Sequence, residues 1–225
     1  MFVWAFNRLR SFCLKNRFLF LLIATLCYLL AVPFLQPFFR VRMLMSFALT
    51  FLLISAVYAV SERKNTMLIA GAIAVLWGVL QWAGNIVDSP ALFIATSTIA
   101  IAFMGYIIIH AIIFFGVSQK VNSNIIFASI VVYMLMALLW AELYNLIEIM
   151  HPGSFDFAVV VSGAGALRFT YFSFITITTL GYGDIVPTTN IARAVSMLEA
   201  FVGQVYLVVL VARLMGMHIA HSRRD

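Results

Sequence analysis

Charge is scarce in this chain of 225 residues: 14 Lys and Arg, 8 Asp and Glu, together 10% of the sequence. Soluble domains carry about 25% charged residues and about 45–50% apolar ones. So few charges cannot coat a water-facing surface, and the 64% hydrophobic content exceeds what a fold of this size hides. The mean hydropathy of +1.08 agrees. Soluble enzymes, nucleic-acid readers and disordered segments are excluded, despite a net charge of +6. Basic charge here orients a chain in a bilayer rather than attracting nucleic acid. Cysteine is nearly absent: Cys13 and Cys27 form neither a metal spacing nor a disulfide framework, and both read as inert thiols. No Ser/His/Asp order, paired-acid site or metal cluster is present, so no enzyme and no cofactor is expected. Proline is sparse (5) and no low-complexity tract occurs.

What is abundant is long apolar sequence. A bilayer core of about 30 Å needs roughly 20 apolar residues per helix. Six stretches meet that length: 18–39, 43–61, 67–87, 91–119, 121–141 and 194–212. The first follows a basic N-terminus, as a signal peptide would. It runs 22 residues without a charge, and no small-residue cleavage site follows, so it reads as a retained span. Trp77, Trp82 and Trp140 read as interface-belt or packing residues. Ala70-Gly71-Ala72 allows close helix packing.

With the N-terminus in the cytoplasm, the inner side carries ten basic residues: Arg8, Arg10, Lys15, Arg17, Arg63, Lys64, Lys120, Arg213, Arg223 and Arg224. The outer side carries four, Arg40, Arg42, Arg168 and Arg193. That bias follows the positive-inside rule. Asp88, Glu142, Glu148, Asp156 and Asp184 fall on or near the outer side. The expected location is the cell membrane (inner or plasma membrane), multi-pass, with both termini cytoplasmic.

Residues 148–193 do not fit a simple bundle. Residues 150–156 read as an outer loop. The run 169–179 is apolar but too short to span, and Leu180-Gly-Tyr-Gly-Asp184 follows at once. A short helix returning as extended chain is a re-entrant loop. Irregular backbone at membrane depth is tolerated where it is buried in protein or lines a water-filled cavity, so the segment points to a pore. A cation crossing there must exchange its water shell for other oxygens. Gly181 and Gly183 tolerate positive φ and alternate with Leu180 and Tyr182, so successive carbonyls can face one axis. Thr179 adds a hydroxyl. The preceding helix aims its negative C-terminal end at the membrane centre, which favours a cation.

Thr178-Thr-Leu-Gly-Tyr-Gly-Asp184 resembles the signature of the potassium-channel pore family, T-x-G-Y-G-D, in the compact six-span, single-loop form met in bacteria. Tyr171-Phe172-Ser173 resembles that family's pore helix with its aromatic cuff, and the likeness is tight over residues 168–215. The resemblance implies an all-α membrane protein of six helices, with a pore helix and filter between helices five and six. It implies that the carbonyls of Thr179, Leu180, Gly181 and Tyr182, with the Thr179 hydroxyl, take the place of water around K⁺. Gly183 then completes the outer turn and Asp184 draws cations to the external mouth. Tyr182 points away from the pore, toward Tyr171 or Phe172. Leu180 replaces the commoner Val or Ile; its ligand is a backbone oxygen, so K⁺ selectivity is expected to survive. One loop per chain cannot enclose an ion path, so a homotetramer follows. The expected partners are K⁺, the bilayer and three further copies, with no nucleic acid.

In the last span, Thr189 or Asn190 caps the helix. Gly203 is either a hinge or a point of close packing, and Leu207 and Val211 follow it toward the inner cavity. Glu199 is a carboxylate inside a span, a functional candidate by default. It either bonds the pore helix or faces the pore, with Gln204 a plausible partner. Arg213 reads as a snorkelling residue. The fourth span has no Arg or Lys, so it cannot act as a steep voltage sensor. His110 on that span reads as a packed residue, with pH sensing as the alternative. The organisation is a basic segment (1–17), a four-helix membrane domain (18–119), a pore domain (120–217) and a short tail (218–225). The expected function is passive, K⁺-selective conduction. The alternatives are a non-selective cation channel, an active K⁺ transporter subunit, or a non-conducting regulatory membrane protein.

Overall fold

The computed structural model describes residues 17–35, 50, 52, 55, 56, 64–84, 87, 89–117, 123–157 and 165–222. Cys13, nearly all of the expected second span, Asp88, and Arg8, Arg10, Lys15, Arg40, Arg42, Arg63, Lys120, Arg223 and Arg224 lie outside the described residues. Helix α1 is Arg17–Leu35, α2 Lys64–Gly84, α3 Pro90–Val117 and α4 Ser123–Met150. Strand β1 (Phe155–Phe157), helix α5 (Gly165–Ile177), strand β2 (Ile185–Pro187) and helix α6 (Asn190–Ser222) complete the order. The expected spans one, three, four, five and six correspond to α1, α2, α3, α4 and α6.

Among the described residues three helices are long and apolar enough to cross a membrane: Pro90–Phe114, Ser123–Met150 and Asn190–Gly216. Within the described residues the apolar stretches of α1 and α2 are shorter, Arg17–Leu30 and Leu68–Gly84.

Local chemistry sets the ends. Pro90 opens α3, where its missing N–H falls among groups that lack a helical partner anyway. Thr189 caps α6: its Oγ1 accepts from Ala192 N at 3.4 Å, and its carbonyl accepts from Arg193 N at 3.0 Å. Helix α4 continues nine residues beyond the expected Ala141 to Met150. Its polar residues there have partners, so they do not end the helix. Ser97 donates to Glu142 at 3.2 Å, and Glu148 accepts from the amides of Gly153 (2.9 Å) and Phe155 (3.2 Å). Helix α6 likewise continues to Ser222, so the expected tail from 218 begins inside it.

A second correction concerns the outer loop, expected to be all coil and helix. It contains a two-stranded antiparallel ribbon, with Phe155 opposite Pro187, Asp156 opposite Val186 and Phe157 opposite Ile185. Thr188 extends it, donating from its N–H to Ser154 O (2.9 Å) and from its hydroxyl to Gly153 O (2.6 Å).

The core has two parts. The larger joins α1, α2, α3, α4 and the end of α5 around Phe18, Trp77, Phe103, Ile107, Leu135 and Ile177. The smaller packs Tyr144, Phe155, Phe169, Phe172 and Ile185 beneath the ribbon. There Tyr144–Phe172 and Phe155–Phe169 meet edge to face, each with centroids 5.0 Å apart. Phe172 of the expected cuff therefore sits in this cluster.

Candidate functional site

The site lies where α5 ends and the chain turns back toward β2. Helix α5 closes with a tight cap: Leu180 N donates to Ile175 O at 2.9 Å and Thr179 N donates to Thr176 O at 2.9 Å. This pair of reverse bonds requires a left-handed residue just past the helix, a place usually taken by Gly. Here it is Thr179, with φ of 60°. A β-branched residue in that region is an outlier that costs on the order of 1–3 kcal/mol. Gly181 (φ 51°) and Gly183 (φ 78°) are also left-handed. Every second residue from 179 to 183 therefore has positive φ, while Leu180 and Tyr182 do not. Alternating handedness is the backbone pattern that lets successive carbonyls point to one side of a chain.

In the single chain this loop is exposed: Leu180 is 56% and Tyr182 68% accessible. Tyr171 donates its hydroxyl to Asp184 Oδ2 at 2.8 Å, which joins the cuff position to the mouth of the loop. Partial burial, and then the Asp184 carboxylate, push the Tyr171 phenol up to about 12. Asp184 Oδ1 has no hydrogen-bond partner among the described residues.

Packed against α5 lies a buried polar network. Glu199 of α6 is fully buried. Its two oxygens accept from Tyr144 of α4 and Ser173 of α5. The Ser173 hydroxyl also lies 2.6 Å from the Ala137 carbonyl, and its single proton serves one acceptor at a time. Glu199 thus ties α6, α4 and α5 together, bonding the short helix that ends at the loop. Gln204, a plausible partner from the sequence, is exposed instead.

One turn on, a Cβ added at Gly203 would stand 3.0 Å from the Ile177 carbonyl oxygen and 2.5 Å from the Ile177 side chain. The same carbonyl accepts from the Tyr133 hydroxyl at 2.8 Å. Gly203 is therefore a point of close approach between α6 and the end of α5. Leu207 is half-buried and Val211 exposed. Arg213 does more than snorkel: it donates to the Gly116 carbonyl at the end of α3. His110 lies one turn from Tyr106, its Nδ1 2.9 Å from that carbonyl.

Sequence reasoning missed Tyr133 and Tyr144; it placed Ser173 on the short helix without naming it as the Glu199 partner. Tyr144 lies three residues past Ala141, where the apolar run of the expected fifth span ends. Tyr133 sits mid-span, where a phenol hydroxyl needs a partner when buried. That need was the available signal.

Residues 123–219 match the model of a family described as ion channel. No curated protein and no solved structure matches the chain. The matched stretch runs from the start of α4 through the ribbon and α5 and into the last turns of α6. Over it the chain is similar to ion-channel domains, and with three helices able to cross a bilayer it reads as a membrane protein.

Proposed function

We propose that this protein is a potassium-selective channel that conducts K⁺ passively through a homotetrameric pore in the cell membrane. The observation that carries the reading is the alternation of backbone handedness at Thr179, Gly181 and Gly183, in a loop that follows a short helix between two spanning helices. In a four-fold ring, carbonyls of Thr179, Leu180, Gly181 and Tyr182 would line one axis and replace the water around a dehydrated cation. Irregular backbone at that depth needs protein or a water-filled cavity around it. The exposure of this loop in one chain fits a surface that further copies enclose. Asp184 at the mouth raises the local concentration of cations. Glu199, Tyr144 and Ser173 hold the pore helix from behind, and Tyr133 and Gly203 fix its last carbonyl.

The test is flux through purified protein in liposomes, K⁺ against Na⁺, beside Gly181→Ala. A Cβ at that φ of 51° forces the backbone out of its conformation at about 1–2 kcal/mol. Strong K⁺ preference that is lost in the variant is the expected result. Equal K⁺ and Na⁺ flux in the unmodified protein would overturn the selectivity.

A further inference from the structure

A crevice of about 490 Å³ runs along the side of the molecule between α3, α4 and α6. Its walls include Ile109 and Ile112 of α3, Leu139 of α4, and Phe201, Val205 and Val209 of α6. Tyr206, which also lines it, spends its hydroxyl on the Ser129 carbonyl at 2.7 Å. Helical spacing shows what comes next along each wall. On α3, Gly105, Ile108, Ile109 and Ile112 share a stripe, and Gly116 is one turn further. On α6, Phe201, Val205 and Val209 share a stripe, and Arg213 is one turn further. These two residues are bonded to each other, so a guanidinium stands at that end of the crevice.

Charge is distributed along the molecule in the same sense. Among the described residues every carboxylate, Glu142, Glu148, Asp156, Asp184 and Glu199, lies toward the other end. Arg213 is fourteen residues past Glu199 on one continuous helix, a separation of about 21 Å. The crevice therefore offers an apolar trough closed by a cation at the end read as cytoplasmic. The described surface of a second copy presents no carboxylate at that level to complement Arg213.

We propose that this crevice binds an anionic membrane phospholipid, one acyl chain lying along Ile112, Leu139 and Val205 and the phosphate meeting Arg213. Basic side chains at the inner ends of spanning helices attract anionic headgroups in this way. The bound lipid braces the far half of α6 against α3, beside the Arg213–Gly116 bond that joins the two helices there. The site is separate from the loop at 179–184 and does not rest on what that loop conducts.

The test uses the full chain, extracted from vesicles of equal parts phosphatidylcholine and phosphatidylglycerol and examined by native mass spectrometry. The unmodified protein is expected to retain phosphatidylglycerol in preference to phosphatidylcholine. Arg213→Gln should lower that preference about fivefold, the effect of one cation at a membrane surface, and Arg213→Lys should keep most of it. Gly105→Leu fills the trough, since a Cβ there meets only Leu139 Cδ1, at 4.0 Å. It should reduce retention of both lipids while the mass of the assembly is unchanged. Val209→Trp fills the opposite wall and serves if Gly105→Leu does not fold. Retention unaffected by filling either wall would overturn the proposal. So would a filled trough that splits the assembly into single chains with lipid per chain unchanged, because a second copy would then be the occupant. Ion flux plays no part in these readouts, so a silent channel leaves them intact.

Discussion

Between Asn190 and Tyr206, α6 is held to the rest of the chain by directional bonds. Thr189 caps it, Glu199 joins it to Tyr144 and Ser173, Gly203 lies against Ile177, and Tyr206 donates to Ser129. Beyond Tyr206 the same helix presents exposed Val208, Val209, Val211 and Met215, and one guanidinium bonded to Gly116. The contrast is one of specificity. Buried hydrogen bonds allow one geometry because an unmade one is expensive. Apolar contact tolerates sliding, since it depends on area and not on direction. The half beside the loop is built to hold position, and the far half to accept different neighbours.

The largest expected difference between the halves comes from Glu199→Ala, which strands the buried Tyr144 hydroxyl, leaves Ser173 only the Ala137 carbonyl and should destabilise the protein by about 3 kcal/mol. Val209→Ala, on the exposed far half, should cost no more than about 0.5 kcal/mol. Thermal unfolding in detergent compares them directly, and equal losses would erase the contrast. Next comes Gly203→Ala, where a methyl forced against Ile177 should cost about 2 kcal/mol by overpacking. A Gly203→Ala protein that unfolds like the parent would mean the helices separate there freely. Tyr133→Phe removes the hydroxyl on the Ile177 carbonyl and should cost about 1 kcal/mol. It should also lower the K⁺-to-Na⁺ flux ratio, a readout that loss of a remote bond would not move.

The smallest effect belongs to Tyr171, which is partly exposed. Its phenol rises from 10.0 to about 12 in the folded chain, so its contribution is complete below pH 10 and is lost as pH climbs toward 12. Unfolding curves of the parent and Tyr171→Phe should differ below pH 10 and converge above 12. Curves separated by a constant offset throughout would show that folding does not shift the phenol.

Much of this was legible in the sequence, and the residues show why. Long apolar runs announce helices α3, α4 and α6 because backbone groups in a bilayer must be satisfied within the segment. The Gly-x-Gly pattern announced a left-handed backbone because glycine alone adopts it freely. Thr179 shows the limit: a β-branched residue gives no local sign of positive φ, and only the cap at the end of α5 imposes it. Glu199 stood out by charge, but its partners could not be chosen from sequence. Tyr144 and Ser173 reach it across 55 and 26 residues, distances that helical spacing does not encode. The ribbon was missed for a similar reason. Three-residue strands carry too little alternation to notice, and this pair is set by Glu148 gripping the turn at Gly153 and Phe155.

The unbroken length of α6 has a mechanical consequence. Its 33 residues contain no proline, and the close approach at Gly203 stands well nearer its first residue than its last. Taking that approach as a fulcrum, the arm beyond it extends about 28 Å. A tilt of about 10° at Gly203 then sweeps the far tip through about 5 Å, while Glu199, one turn from the fulcrum, moves by only about 1 Å. A small strain felt at Ile177 and a large displacement beyond Arg213 are two ends of one rigid lever.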